Sequence, residues 1–271
     1  FRDENTQIKA LAFGGFERTY QSWFGIDETT LKTNRSYNPA GENYDSDGNV
    51  IGFYEDQVDN YNQDHYQLHW QQAFKAYWSL ALGLNYTYGR GYYQELNDIW
   101  YDQNIGFSGN TSANYLQLPQ TDAVDTENIT QKWLDNDFYV ANLMAAFEKG
   151  TQKLNLGFSY SNYLGDHFGT LIWAQNAGGA LPNHRFYENK GEKTDTNVFA
   201  KLTHAVGRQW TVYTDIQYRW IDYKANGMQA GQVPIDVNLN YGFFNPKAGV
   251  TFSMNPNHQL YFSFLRDQIE Y

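Results

Sequence analysis

The sequence predicts an all-β fold, the wall of an antiparallel transmembrane β-barrel with about nine strands. Three observations predict it. Two segments alternate apolar and polar residues between aromatic ends ten positions apart. Tight turns alternate with long polar loops along the chain. Aromatic residues make up 18% of the sequence, including 23 Tyr and 8 Trp, and such rings favour boundaries where one end is dry and the other wet. No apolar run is long enough for a transmembrane helix.

The first strand is expected over residues 4–23, followed by a polar loop over 24–58 and a second strand over 59–74. A turn from Phe74 to Tyr77 leads into a strand over 78–96. There Trp78, Leu80, Leu82, Leu84, Tyr86 and Tyr88 share one face, with Ser79, Ala81, Gly83, Asn85, Thr87 and Gly89 opposite. A long loop over 97–130 precedes strands over 131–147 and 153–166, joined by the turn former Gly150 and its neighbours. A third loop is expected over 167–185, then strands over 186–205 and 210–224 joined at Gly207. The second of these carries Trp210, Val212, Thr214, Ile216, Tyr218 and Trp220 on one face. A loop over 225–236 and a turn at Asn255-Pro256-Asn257 separate the last two strands, 237–254 and 260–270.

Ten residues at ~3.3 Å rise and ~40° tilt project to about 25 Å, the height of the apolar band of an outer-membrane barrel. The lipid-facing girdle is therefore expected at Trp78, Tyr86, Tyr88, Trp210, Tyr218 and Trp220. A soluble sandwich also alternates, but its wet face favours Lys and Glu. These opposite faces are mostly Gly, Ser, Asn, Thr and Gln, which suits a crowded, wet lumen. Tight turns at one end and long loops at the other match periplasmic and extracellular links. A propeller would repeat every 40–50 residues or so, and no such self-similarity is found.

Single-chain bacterial barrels close with even strand numbers, and an open edge is costly in lipid. Nine strands therefore suggest an internal piece of a larger wall. The last strand agrees: Ile269 and Tyr271 fit an aromatic-ended closing strand, whereas Ser263 and Asp267 interrupt it. The chain starts at Phe1 without a leader, so a signal peptide is expected to be cleaved or to lie upstream.

A net charge of −11 argues against nucleic acid as a partner. The absence of cysteine fits an oxidising envelope but also much else. Loop aromatics Trp100, Tyr101 and Trp173, with Arg185, form the candidate ligand contacts, since rings and a guanidinium can stack on or clamp a sugar, an aromatic or an anion. Asp45, Asp47 and Asn49 alternate like calcium-loop ligands around Gly48, yet the sequence lacks the closing glutamate, so a solvated turn is favoured and no metal is expected. His65 and His69 stand about 13 Å apart on a strand, too far to share an ion. His167 and His184 are weaker candidates for haem or metal ligation, against ordinary surface histidines. No hydrolase motif occurs; neither an enzyme nor a resident cofactor is expected.

Four segments carry a family resemblance: Asn60-Tyr61-Asn62-Gln63-Asp64-His65-Tyr66-Gln67-Leu68-His69-Trp70, Phe244-Asn245-Pro246-Lys247-Ala248-Gly249-Val250-Thr251-Phe252, Glu17-Arg18-Thr19-Tyr20-Gln21-Ser22-Trp23 and Asn34-Arg35-Ser36-Tyr37-Asn38. Together they resemble the barrel of TonB-dependent outer-membrane receptors, over nearly the whole chain. The resemblance implies a 22-stranded barrel in the outer membrane of a Gram-negative bacterium, closed by an N-terminal plug. It also implies active import of a scarce ligand, such as a ferric siderophore, haem, cobalamin or a glycan, through coupling to the TonB complex. Residues 1–271 are then a partial barrel, with plug, TonB box and further strands outside it. Outer-membrane lipid and the imported ligand are the expected partners, with a surface lipoprotein as a further candidate. The rival readings are a passive porin or adhesin barrel, and a soluble carbohydrate-binding β protein.

Overall fold

The structure is a computed structural model that describes residues 1–74, 77–100, 111–120 and 125–266. Nine long strands form one antiparallel sheet, in the order β1 (Thr6–Tyr20), β4 (Val58–Phe74), β5 (Trp78–Asn97), β6 (Asn128–Lys149), β7 (Gln152–Ala174), β8 (His184–Val206), β9 (Trp210–Gln229), β10 (Val233–Asn255) and β11 (His258–Leu265). A small hairpin of β2 (Glu42–Tyr44) and β3 (Val50–Phe53) stands in the loop between β1 and β4. No helix is long and apolar enough to cross a membrane, which says nothing of strands. The all-β, nine-stranded expectation therefore holds.

Register fixes which side chains share a face, because paired residues point the same way. Trp78 pairs with Phe74 and Phe147, and Tyr86 pairs with Tyr66 and Tyr139. Trp210 pairs with Phe252, and Tyr218 with Phe244. One face thus carries two aromatic rows with Leu68, Leu82, Leu143 and Phe158 between them. The rings touch along the rows: Trp78–Phe147 centroids are 5.0 Å apart, Tyr66–Tyr86 5.9 Å and Tyr86–Tyr139 4.9 Å. The other face is polar and rich in glycine. There Gly91 lets two strands close, since a Cβ on it would stand 2.2 Å from the Asn60 carbonyl oxygen.

Among the described residues three tight turns lie at one end of the sheet, for example Gly150 with φ +58° between β6 and β7. The links at the other end differ from expectation. β7 continues to Ala174 and β8 begins at His184, so the predicted loop over 167–185 shrinks to residues 175–183. β9 and β10 run to Gln229 and from Val233, replacing the predicted loop over 225–236 with a turn at residues 230–232. The strict alternation of short and long links therefore fails at its last member. β7, β8 and β10 each have 23 residues, about twice what an apolar band of ~25 Å needs. Ser263 does not interrupt β11, because it pairs with Gly249; Asp267, Ile269 and Tyr271 lie outside the described residues.

Candidate functional site

The densest chemistry on the polar face lies near the loop end. Tyr93 on β5, Lys132 on β6, Gly169 on β7 and Tyr187 on β8 form one register row. Lys132 Nζ lies 3.1 Å from a Glu95 oxygen, with both side chains four-fifths buried (20% and 17% exposed). The same ammonium sits 5.2 Å from the centroid of the Tyr93 ring, a cation–π contact added to the ion pair. Gly169 makes room for aromatics, as a Cβ there would stand 2.3 Å from Phe186 and 2.4 Å from Tyr187.

A strap closes over this row. Ser112–Tyr115 form one helical turn, capped where Thr111 Oγ1 accepts from the Asn114 amide at 3.4 Å. The chain then drives Leu116 (1% exposed) and Leu118 into an apolar cluster with Ala113, Leu171 and Phe186. Tyr115 packs on Phe186 at 5.7 Å, and Phe186 on Tyr187 at 5.1 Å. A His184 ring nitrogen lies 3.0 Å from the Leu116 carbonyl oxygen, and the Gln120 amide donates to Gly178 O at 3.0 Å.

Deeper on the same face, Tyr61 OH donates to Asn136 Oδ1 at 3.2 Å, and a Cβ on Gly89 would stand 2.1 Å from that hydroxyl oxygen. The Arg219 guanidinium donates through Nε to both Asp195 oxygens, at 3.1 and 3.0 Å. Phenols, carboxamides, one buried ammonium and its carboxylate equip this wall to recognise a ligand by stacking and hydrogen bonds. None of these residues was among the ligand contacts expected from the sequence.

Of the four predicted ligand contacts, the three among the described residues are not brought together. Trp100 stacks on Tyr44 at 4.9 Å and packs over Gly48, so it ties two loops to each other. Tyr101 lies outside the described residues. Trp173 pairs with Ile129 and Arg185 with Thr170, which puts both on the apolar face. Register jumps in β7 and β8 cause this: the pairing skips Ile172 and Phe186, and each extra residue turns its strand end over. Trp78, Tyr86 and Tyr88 share the apolar face with Trp210, Tyr218 and Trp220.

At the calcium-like turn, Asp45 Oδ1 accepts the amides of Asp47 at 3.0 Å and Asn49 at 2.8 Å. These donors, Asn49 first, hold the Asp45 carboxyl below the usual carboxylate range. In the same loop Tyr37 donates to Glu42, which pushes its phenol up to about 12. Among the described residues no three His, Cys, Asp or Glu side chains gather as a metal site. His167 meets Asn189 Oδ1 at 3.1 Å on the polar face, and so is engaged with an amide.

Comparison with known proteins agrees with this architecture. The family described as TonB dependent receptor-like, beta-barrel matches residues 2–266. No curated protein matches the sequence. Among solved structures, the open form of the ferric-catecholate import receptor Fiu from Escherichia coli K12 superposes with a TM-score of 0.52 at 12% identity, over 97% of this chain and 44% of that one. Its closed form gives 0.54 at 12% identity, over 96% and 41%. BauA, the ferric preacinetobactin receptor of Acinetobacter baumannii, gives 0.51 at 8% identity, over 97% and 37%. The chain spans less than half the length of each of these receptors. With its two-faced sheet and a family match over nearly its whole length, the chain belongs to the β-barrel of the TonB-dependent receptors, outer-membrane proteins of Gram-negative bacteria.

Proposed function

We propose that the chain supplies part of the wall and mouth of an active transporter, which imports a scarce ligand through a plugged barrel coupled to TonB. The plug, TonB box and further strands belong to the whole protein in this reading. The two-faced sheet carries it: the apolar face meets lipid between its aromatic rows, and the polar face looks into the lumen. The girdle is then Trp78 and Trp210 at the periplasmic boundary, with Tyr86, Tyr88, Tyr218 and Trp220 at the outer one. Ligand contact falls to Tyr61, Tyr93, Tyr115 and Tyr187 with Lys132, to Trp100 at the rim, and to Tyr101, which lies outside the described residues. Trp173 and Arg185, on the lipid-side face, stand outside the ligand's path.

A ferric siderophore is the first ligand to test, because planar, oxygen-rich chelates suit phenols and a buried cation, and two similar structures are named as a ferric-catecholate import receptor and a ferric preacinetobactin receptor. Haem, cobalamin and glycans come next. A surface lipoprotein over the mouth is a further partner in this proposal. The test is uptake of a radiolabelled ferric catecholate by cells making the full-length receptor, with and without TonB. Uptake that needs TonB and weakens in Lys132→Ala supports the reading. Uptake that persists without TonB replaces it with a passive porin.

A further inference from the structure

We propose that residues 111–120 form an autoinhibitory strap, which keeps the Lys132 site shut in the ligand-free chain and must lift before a ligand enters. This rests on the reading above, since the site it shuts is the one assigned there to the ligand.

The strap takes the ligand's place. Tyr115 stands within electrostatic reach of Lys132, Tyr93 and Tyr187, and its ring packs on Phe186. A Cβ on Gly231 would stand 3.7 Å from the same ring, so the turn between β9 and β10 backs it. Lys132 and Glu95 keep only 20% and 17% exposure beneath it. A solute approaching from the polar side therefore meets the strap before the ammonium.

Two opposed effects hold the strap near balance. Closure buries Ala113, Leu116 and Leu118 with Leu171 and Phe186, which is favourable. The bulge at Phe186 supplies the seat: its ring, skipped by the pairing, lies in this cluster, and its carbonyl accepts from Gln232 Nε2 at 3.0 Å. Yet closure also takes an ammonium and a carboxylate out of water, a cost that can exceed their attraction. It further holds Gln117 at φ +53°, a left-handed conformation that residues other than glycine seldom adopt. The strap has one helical turn and no strand pairing. Among the described residues its polar ties are few: Gln120 to Gly178, the Leu116 carbonyl to His184, and Ser112 to Asp125 and Thr126. Segments so lightly tied open before the sheet does. Lifting frees Lys132 for the oxygens of a ligand, and Tyr115 then meets that ligand from the raised strap. A site open in about one molecule in thirty binds about thirtyfold more weakly than its intrinsic affinity. The strap thus admits only ligands that gain more from Lys132 and the phenols than it does itself.

A disulfide tests this. A Cβ on Gly178 would lie 3.2 Å from Leu118 Cβ, close to the separation that a disulfide spans, and residues 1–271 contain no cysteine of their own. In the full-length receptor, Leu118→Cys/Gly178→Cys is titrated with a ferric catecholate in its oxidised and reduced forms. The oxidised form is expected to bind at least about tenfold more weakly than the reduced one, and Leu116→Ala to bind about tenfold more tightly than the parent. Equal or tighter binding by the oxidised form overturns the proposal, as does equal or weaker binding by Leu116→Ala. A ligand-free readout keeps the strap apart from the choice of ligand. A water-soluble amine-acylating reagent should modify Lys132 slowly in the parent, faster in Leu116→Ala and least in the oxidised form, with exposed Lys190 equal in all. Equal acylation of Lys132 in the oxidised and reduced forms sinks the strap. Strap-dependent acylation without ferric catecholate binding by any form sinks the choice of ligand and leaves the strap standing.

Discussion

Replacing Lys132 with Met removes the cation from a four-fifths buried pair and leaves Glu95 facing the Tyr93 ring and the strap. Breaking a fully buried pair from one side costs ~3–5 kcal/mol, chiefly the burden of the uncompensated charge. The residual exposure of Glu95, 17%, lets water take part of that charge, so ~2–3 kcal/mol is expected here. At ~1.4 kcal/mol per factor of ten, the upper ends of β5 and β6 should then open roughly 30- to 150-fold more often. Hydrogen exchange on the full-length receptor reads this directly, at the amides of residues 93–97, 128–132 and 111–120. The double variant Glu95→Gln/Lys132→Met removes both charges and should return within about tenfold of the parent. If Lys132→Met exchanges like the parent, the pair is effectively solvated. If the double variant is as open as the single one, lost packing dominates and the electrostatic argument fails.

Leu116→Ala should cost ~2–5 kcal/mol of local stability, since its side chain is almost wholly buried against Leu171 and Phe186, and limited proteolysis should then cut the strap first. Gly91→Ala forces a methyl toward the Asn60 carbonyl oxygen on β4; it should destabilise the sheet by ~1–3 kcal/mol, read as a lowered midpoint of heat-induced loss of the folded band on electrophoresis. The Asp45 turn should depend on pH with a definite sign. Its carboxyl lies lower when folded, so the stabilisation is complete above the unfolded value of ~3.9 and is lost as pH falls through the folded value. Protection of the Asn49 amide should therefore hold from neutral pH to about 4 and fall below it, with the dependence absent in Asp45→Asn.

The membrane-crossing part of the fold was legible because each strand has one dry and one wet face, so polarity alternates along Trp78–Tyr88 and Trp210–Trp220. Above the bilayer both faces are wet and the signal disappears. The run Ala225, Asn226, Gly227, Met228, Gln229 therefore reads as loop although it continues β9. The inner-wall site was illegible for a different reason. Tyr93, Lys132 and Tyr187 meet only through the registers of four strands, and nothing near any one of them in sequence announces the others. Trp173 and Arg185 were visible as residue types, but their faces depend on two bulges that alternation alone does not reveal.

The apolar cluster around Leu116 and Phe186 has a consequence for assembly. It lies at the loop ends of β7 and β8, on the far side of the membrane from the tight turns. Its parts can meet only after both strands have crossed and their registers, bulges included, have locked. Closure of the strap over this cluster is thus a late event in biogenesis that certifies threading. A wall inserted one register out would leave Leu116 and Leu118 unsheltered at the cell surface.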